Sequence, residues 1–161
     1  MNRATSRTAT GFGWEIVATI GMSTLMLVGF VTGRAPMPRP VPEAIALTLL
    51  GDEAPTPLVR VLGVGAHLLY GGVFGAGLAM ATTPVTVKKG LGLGIGLWIG
   101  MGVVFLPFVG WGLFGTAITP AIAVATLILH LVYGTILGWG LDHNVSFGTG
   151  ETASTSQRSS Q

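Results

Sequence analysis

The 161 residues include 8 Lys and Arg and 6 Asp and Glu, a formal net charge of +2, while half of the chain is hydrophobic. A charged fraction of 9%, against roughly 25% in soluble domains, excludes an ordinary soluble fold, and so small and dispersed a positive charge offers no footprint for nucleic acid. The absence of cysteine removes disulfides, thiolate metal sites, iron–sulfur clusters and cysteine nucleophiles.

The charges are also segregated. None occurs from Val61 to Val87, nor from Gly90 to Leu141. The second stretch is too long for one crossing, since about 20 apolar residues span a bilayer. The pattern predicts an all-α polytopic membrane protein: four transmembrane helices, arranged as two parallel-repeat hairpins, plus a short interfacial helix.

In chain order, residues 1–13 form a polar N-terminal arm carrying Arg3 and Arg7. The membrane domain covers residues 14–141, and its first span covers 14–32. This run exceeds the roughly 7–15 residues of a signal-peptide core, and Thr32-Gly33-Arg34 is not an A-x-A-like cleavage site, so a retained helix is expected. Glu15 follows Gly11-Phe12-Gly13-Trp14, which places it at the membrane interface, solvated. Small multidrug exporters likewise have four spans and a glutamate in the first, but a coupling role needs that carboxylate deeper in the membrane.

Proline at every second position from Pro36 to Pro42 enforces an extended segment. Pro42 then opens a short helix over 42–50, closed by Gly51. Ile45 and Leu49 share one of its faces, as expected of a helix lying on the membrane surface. After the loop at Asp52–Pro57, the second span covers 58–81, with Arg60 at its mouth. Lys88-Lys89 marks a polar turn, and the third span covers 91–108, stopping at Pro107. Residues 109–119 are too few to cross again and read as a tight, partly re-entrant turn. Pro120 opens the fourth span, 120–141. The Ser/Thr/Gly-rich tail, 142–161, has no hydrophobic period, and disorder is expected.

Five basic residues (Arg3, Arg7, Lys88, Lys89, Arg158) fall on the side of the termini and three (Arg34, Arg39, Arg60) on the other. The bias puts both termini in the cytoplasm. Trp14, Trp111 and Trp139 sit where aromatic belts are expected.

The second and fourth spans share a sentence. His67-Leu68-Leu69-Tyr70-Gly71 returns as His130-Leu131-Val132-Tyr133-Gly134, and Gly75/Gly138, Gly77/Gly140 and Leu78/Leu141 keep the same offset. Each Tyr lies on the helical face of its His, and glycines at i+4 and i+8 from the His continue that face. Gly71/Gly75 and Gly134/Gly138 satisfy the small-xxx-small pattern of close helix packing. Both histidines fall near the bilayer middle, at matching depth.

The leading expectation is a structural or accessory membrane protein without catalytic residues. Here His67, Tyr70, His130 and Tyr133 form a polar core of interhelical hydrogen bonds, with Ser23, Thr24 and Trp98 as candidate partners. The first alternative is a redox subunit in which His67 and His130 ligate haem b, with Arg39 or Arg60 near its propionates. A further alternative is a small-solute transporter, against which the last three spans carry no carboxylate. No carboxylate or thiolate completes a metal site around the two His–Tyr pairs. Scattered methionines at 22, 26, 80 and 101 read as gap-fillers, and His143 as a solvated terminus. The expected partners are the lipid bilayer and, through glycine faces, a second copy or a membrane-complex subunit.

Several segments carry a resemblance: Thr19-Ile20-Gly21-Met22, Pro36-Met37-Pro38, Ala66-His67-Leu68-Leu69, Trp98, Pro107-Phe108-Val109-Gly110-Trp111-Gly112-Leu113-Phe114-Gly115, and Leu129-His130-Leu131-Val132-Tyr133-Gly134-Thr135-Ile136-Leu137-Gly138. Through them the chain resembles a family of small four-span membrane proteins of archaea and bacteria, generally without assigned function. The resemblance covers about residues 14–141. It implies the four-span fold and carries no activity with it.

Overall fold

Hydrocarbon offers no partner to a backbone amide, so a chain this apolar must satisfy its polar groups within each segment, which a helix does. The computed structural model describes the backbone of residues 3–158 and the side chains of residues 8–143. All its regular elements are helical: α1 (Arg3–Val31), α2 (Val41–Leu50), α3 (Thr56–Ala81), α4 (Val87–Gly100), α5 (Leu106–Phe108) and α6 (Ala121–Arg158), with a π-helical turn at Met101–Phe105 and a 3₁₀ turn at Leu113–Gly115. Four stretches are long and apolar enough to cross a membrane: Thr8–Val31, Thr56–Ala81, Val87–Phe108 and Ala121–His143.

Proline and glycine place the boundaries. Pro42 and Pro57 occupy the first turns of α2 and α3, where a missing N–H costs nothing. Gly51, at φ +88°, closes α2 with its N–H on the Leu47 carbonyl. Pro107 acts differently. It lacks the N–H that would reach Val103, and its ring would strike that carbonyl in a regular α-helix. The chain widens before it: the Leu106 N–H reaches back to Met101 O, and the Met101 N–H is shared by the Leu97 and Trp98 carbonyls. This π turn keeps the third span continuous through the proline.

The spans pack in the order α3, α1, α6, α4, with α2 laid against α3. One core cluster lies toward the 82–86 turn and gathers Ala18, Met22, Ala79, Val85, Tyr133, Leu137 and Leu141. The other lies at the α2 end and gathers Met37, Val41, Ala44, Leu106, Trp111 and Ile122. Large exposed side chains such as Val17, Leu27, Leu69, Val73, Ile99 and Val124 form the outer apolar surface.

Several segment-level expectations change. The polar arm is not separate: α1 begins at Arg3, and within it Phe12 seats its ring on Gly72 of α3. The stretch read as a polar arm is continuous with the first membrane helix, and its Gly11 and Phe12 pack on glycines of α3. The short helix packs against the bundle through Val41 and Ala44, both buried, a contact beyond the Ile45–Leu49 face. Trp111 belongs to a core, not to an interfacial belt, because the turn at 109–120 folds back over the bundle end. There Gly110, Gly112 and Gly115 take positive φ, and Phe114, at φ 53°, is held with its ring over Gly102 and 4.7 Å from that of Trp98. The tail, expected without regular structure, continues α6 to Arg158, with no proline after Pro120 to end it. Its side chains beyond His143 lie outside the described residues.

Candidate functional site

The polar side chains of α3 and α6 do not meet in a hydrogen-bonded core. His67, Tyr70 and His130 converge instead on a cleft, while Tyr133 lies in the core cluster toward the 82–86 turn. Helices α2, α3, α4 with its π turn, and α6 enclose a cavity of about 340 Å³ at the α2 end of the bundle. Ile45, Leu49, Leu62, Leu97, Met101 and Phe105 supply apolar walls, and His67, Tyr70 and His130 reach it from α3 and α6. The π turn contributes two of the wall residues. Widened turns of this kind recur at functional sites, because they re-aim side chains without breaking the helix.

The two imidazoles lie within electrostatic range of each other, yet their hydrogen bonding differs. His130 Nδ1 is 2.8 Å from the Thr126 carbonyl, one turn back in its own helix. A carbonyl only accepts, so Nδ1 donates and Nε2 is left as the unprotonated, accepting nitrogen of a neutral ring. His67 makes no hydrogen bond among the described residues. Tyr70 rests on rings, with Phe74 at 4.7 Å and Phe105 at 5.8 Å edge-on. The second contact ties α3 to the π turn. At the mouth, Arg60 of α3 reaches Glu43 of α2 across 3.7 Å.

Toward the 82–86 turn lies a second polar group that corrects the reading of Glu15 as solvated. Its side chain is fully buried, about 18 Å along the axis from the start of α1 at the usual rise per residue. Thr19 Oγ1 donates to Glu15 Oε1. The carboxyl fills the space that a side chain on Gly71 would need, and its Cβ and Cγ cover Gly75. Glu15 Oε2 and the Tyr133 hydroxyl are both buried without a hydrogen-bond partner among the described residues, and Tyr133 lies within electrostatic range of both Glu15 and Tyr70. One signal for this placement was present in the sequence: Gly11, Glu15, Ala18 and Met22 share a helical face, and Thr19 stands one turn after Glu15.

The remaining candidates fall elsewhere. Thr24 Oγ1 bonds its own helix at Ile20 O, 2.8 Å away, and Ser23 makes no side-chain hydrogen bond among the described residues. Trp98 does link two helices, but through the Ala123 carbonyl, to which Nε1 donates at 3.1 Å. No partner of the His–Tyr pairs emerges from the three. Gly71, Gly75, Gly134 and Gly138 are all buried at helix contacts. Among the described residues, no group of three or more His, Asp or Glu converges as a metal site would require. No protein-family model matches the chain, and neither the curated proteins nor the solved structures contain a match.

Proposed function

We propose that this is a small integral membrane protein of the cell membrane, accessory rather than catalytic, that holds a lipophilic small molecule in the cleft between α2, α3, α4 and α6. One observation carries the reading. Two histidines from different helices reach one apolar cavity, and neither spends its side chain on joining helices. Polar groups at membrane depth are costly unless a partner or a function uses them. The cavity volume lies within the roughly 300–1,000 Å³ of small-molecule sites. Both termini face the cytoplasm in this reading, and the chain stands with the four-span family it resembles. The two hairpins, α1 with α3 and α4 with α6, form a parallel repeat. That arrangement is supported by Gly71/Gly75 meeting α1 while Gly134/Gly138 meet α4.

The test compares organic extracts of the protein purified in mild detergent with those of Ala66→Trp, which fills the cavity from the α3 wall. A lipophile enriched in the wild type and absent from the variant is the expected result. Identical extracts would remove the reading. Topology is checked by reporter fusions, which should place residue 161 and the 82–90 turn on the same, cytoplasmic side.

A second reading, bis-histidine haem b ligation, is favoured by one detail: Nδ1 of His130 on a backbone carbonyl is the arrangement that orients an imidazole for ligation through Nε2. An absorption spectrum decides it. A Soret band lost in both His67→Ala and His130→Ala supports haem, and a featureless spectrum of protein purified from haem-replete cells ends that reading.

A further inference from the structure

The cleft also restricts the kind of head group it can hold. Its lining carries no Asp, Glu, Lys or Arg, and the nearby Arg60 and Glu43 are engaged with each other outside it. An ionic head such as a phosphate, carboxylate or ammonium would lose its water there without gaining a counter-charge, which disfavours it. A neutral head is accommodated on different terms. The Thr126 carbonyl fixes the His130 proton on Nδ1, so Nε2 offers a lone pair and no proton. A head that donates finds an acceptor there. One that only accepts meets lone pair against lone pair at Nε2, leaves that acceptor unpaired, and must take any hydrogen bond from His67 or Tyr70 instead.

We propose that the occupant is a neutral lipophile with one hydrogen-bond-donating head, of the class of a short hydroxylated isoprenoid, whose hydroxyl donates to His130 Nε2 while its chain lies along Ile45, Leu49, Leu62 and Phe105. The proposal rests on the ligand-cleft reading above and names its chemistry. About 340 Å³ suits a chain of a few isoprene units and is far too small for a whole phospholipid. Leu49, Leu50 and Leu62 are lining residues that are also exposed, so the walls continue into the apolar surface from which such a molecule would enter.

The experiment uses the full chain in lipid nanodiscs and three probes of matched chain: farnesol, which donates and accepts; farnesyl methyl ether, which only accepts; and farnesene, which does neither. Equilibrium binding is measured with empty discs as background. Farnesol should bind about tenfold more tightly than either of the others, the effect of one buried hydrogen bond gained and one orphaned acceptor avoided. His130→Leu should erase that preference while leaving farnesene binding in place. Should His130→Leu not fold, Ala66→Phe leaves the Thr126–His130 bond intact, and should reduce all three probes together. Equal binding of the three to the wild type would overturn the head assignment and leave the cleft standing. Failure of all three to bind the wild type above background would overturn the cleft reading itself.

Discussion

The two copies of the His–Tyr–Gly motif lie in different surroundings. On α6, Gly134 and Gly138 receive backbone. A Cβ on Gly134 would stand 2.5 Å from the Gly90 carbonyl oxygen, and one on Gly138 would stand 2.7 Å from Val87 Cα and 2.9 Å from Thr86 O. On α3, Gly71 and Gly75 receive the Glu15 side chain, although Gly75 also approaches Gly11 O, where a Cβ would stand at 2.9 Å. The tyrosines diverge in the same way. Tyr133 is 2% exposed and Tyr70 is 37% exposed. So do the histidines: His130 Nδ1 is hydrogen-bonded to the main-chain carbonyl one turn back, that of Thr126, whereas His67 makes no such bond to the carbonyl of Gly63 among the described residues. A shared motif therefore specifies a smooth helical face and two polar groups. The partner helix decides whether backbone, carboxyl or cavity meets them.

The sharpest break of this comparison is a bulky residue on the backbone-filled side. Gly134→Leu should cost about 3 kcal/mol or more, the upper range for overpacking, because neither α4 nor α6 can yield without moving as a unit. Gly92→Leu, where nothing lies within 4 Å of a Cβ, should stay within about 0.5 kcal/mol of wild type. Reversible unfolding in mixed micelles measures both, and equal stability of the two variants would show that the α4–α6 approach is not close.

The next effect separates a side chain from backbone as the occupant. Glu15→Ala should destabilise by about 2–4 kcal/mol, since it opens a cavity and orphans the Thr19 hydroxyl. Gly71→Ala should cost about 2 kcal/mol alone, because its methyl group competes with the carboxyl. Together they should cost about 1–2 kcal/mol less than their separate effects predict, because the first removes the obstacle to the second. Gly134→Ala should find no such relief from Leu91→Ala, whose Cα, not its side chain, is the neighbour. Additivity at both contacts would refute the distinction between them.

The smallest effect concerns the hydroxyls. Tyr133→Phe removes a buried group that has no partner among the described residues, and should leave stability unchanged or raise it by up to about 1 kcal/mol. Tyr70→Phe should be neutral within about 0.5 kcal/mol, because the Tyr70 contacts are ring contacts. A loss of more than 1 kcal/mol in Tyr133→Phe alone would mean that its hydroxyl holds a bond in the membrane-embedded protein.

Much of the fold was legible in the chain. Long charge-free runs leave a bilayer as their environment, and prolines 42, 57, 107 and 120 punctuate the helices within one or two residues of their observed ends. Less of the site was legible. The cleft depends on α2 docking against α3, where a Cβ on Gly63 would lie 2.8 Å from Pro42 O, and no local pattern in 42–50 encodes that placement. The burial of Glu15 was concealed for a related reason. Hydropathy treats residues 1–13 as polar and therefore outside, whereas Gly11 and Phe12 have their partners about 60 residues away in Gly75 and Gly72.

By itself the sequence determined that four helices long and apolar enough to cross a membrane would form and where proline would bound them, because backbone satisfaction, proline geometry and apolar length act within a segment. It also determined that His67 and Tyr70, like His130 and Tyr133, would share a face, since helical periodicity is local too. Only the tertiary structure decided that Glu15 would fill the Gly71 groove, that His130 would line a cavity, and that the Pro107 π turn would wall it. Each depends on which helix lies opposite, and that choice is made by contacts among residues far apart in the chain.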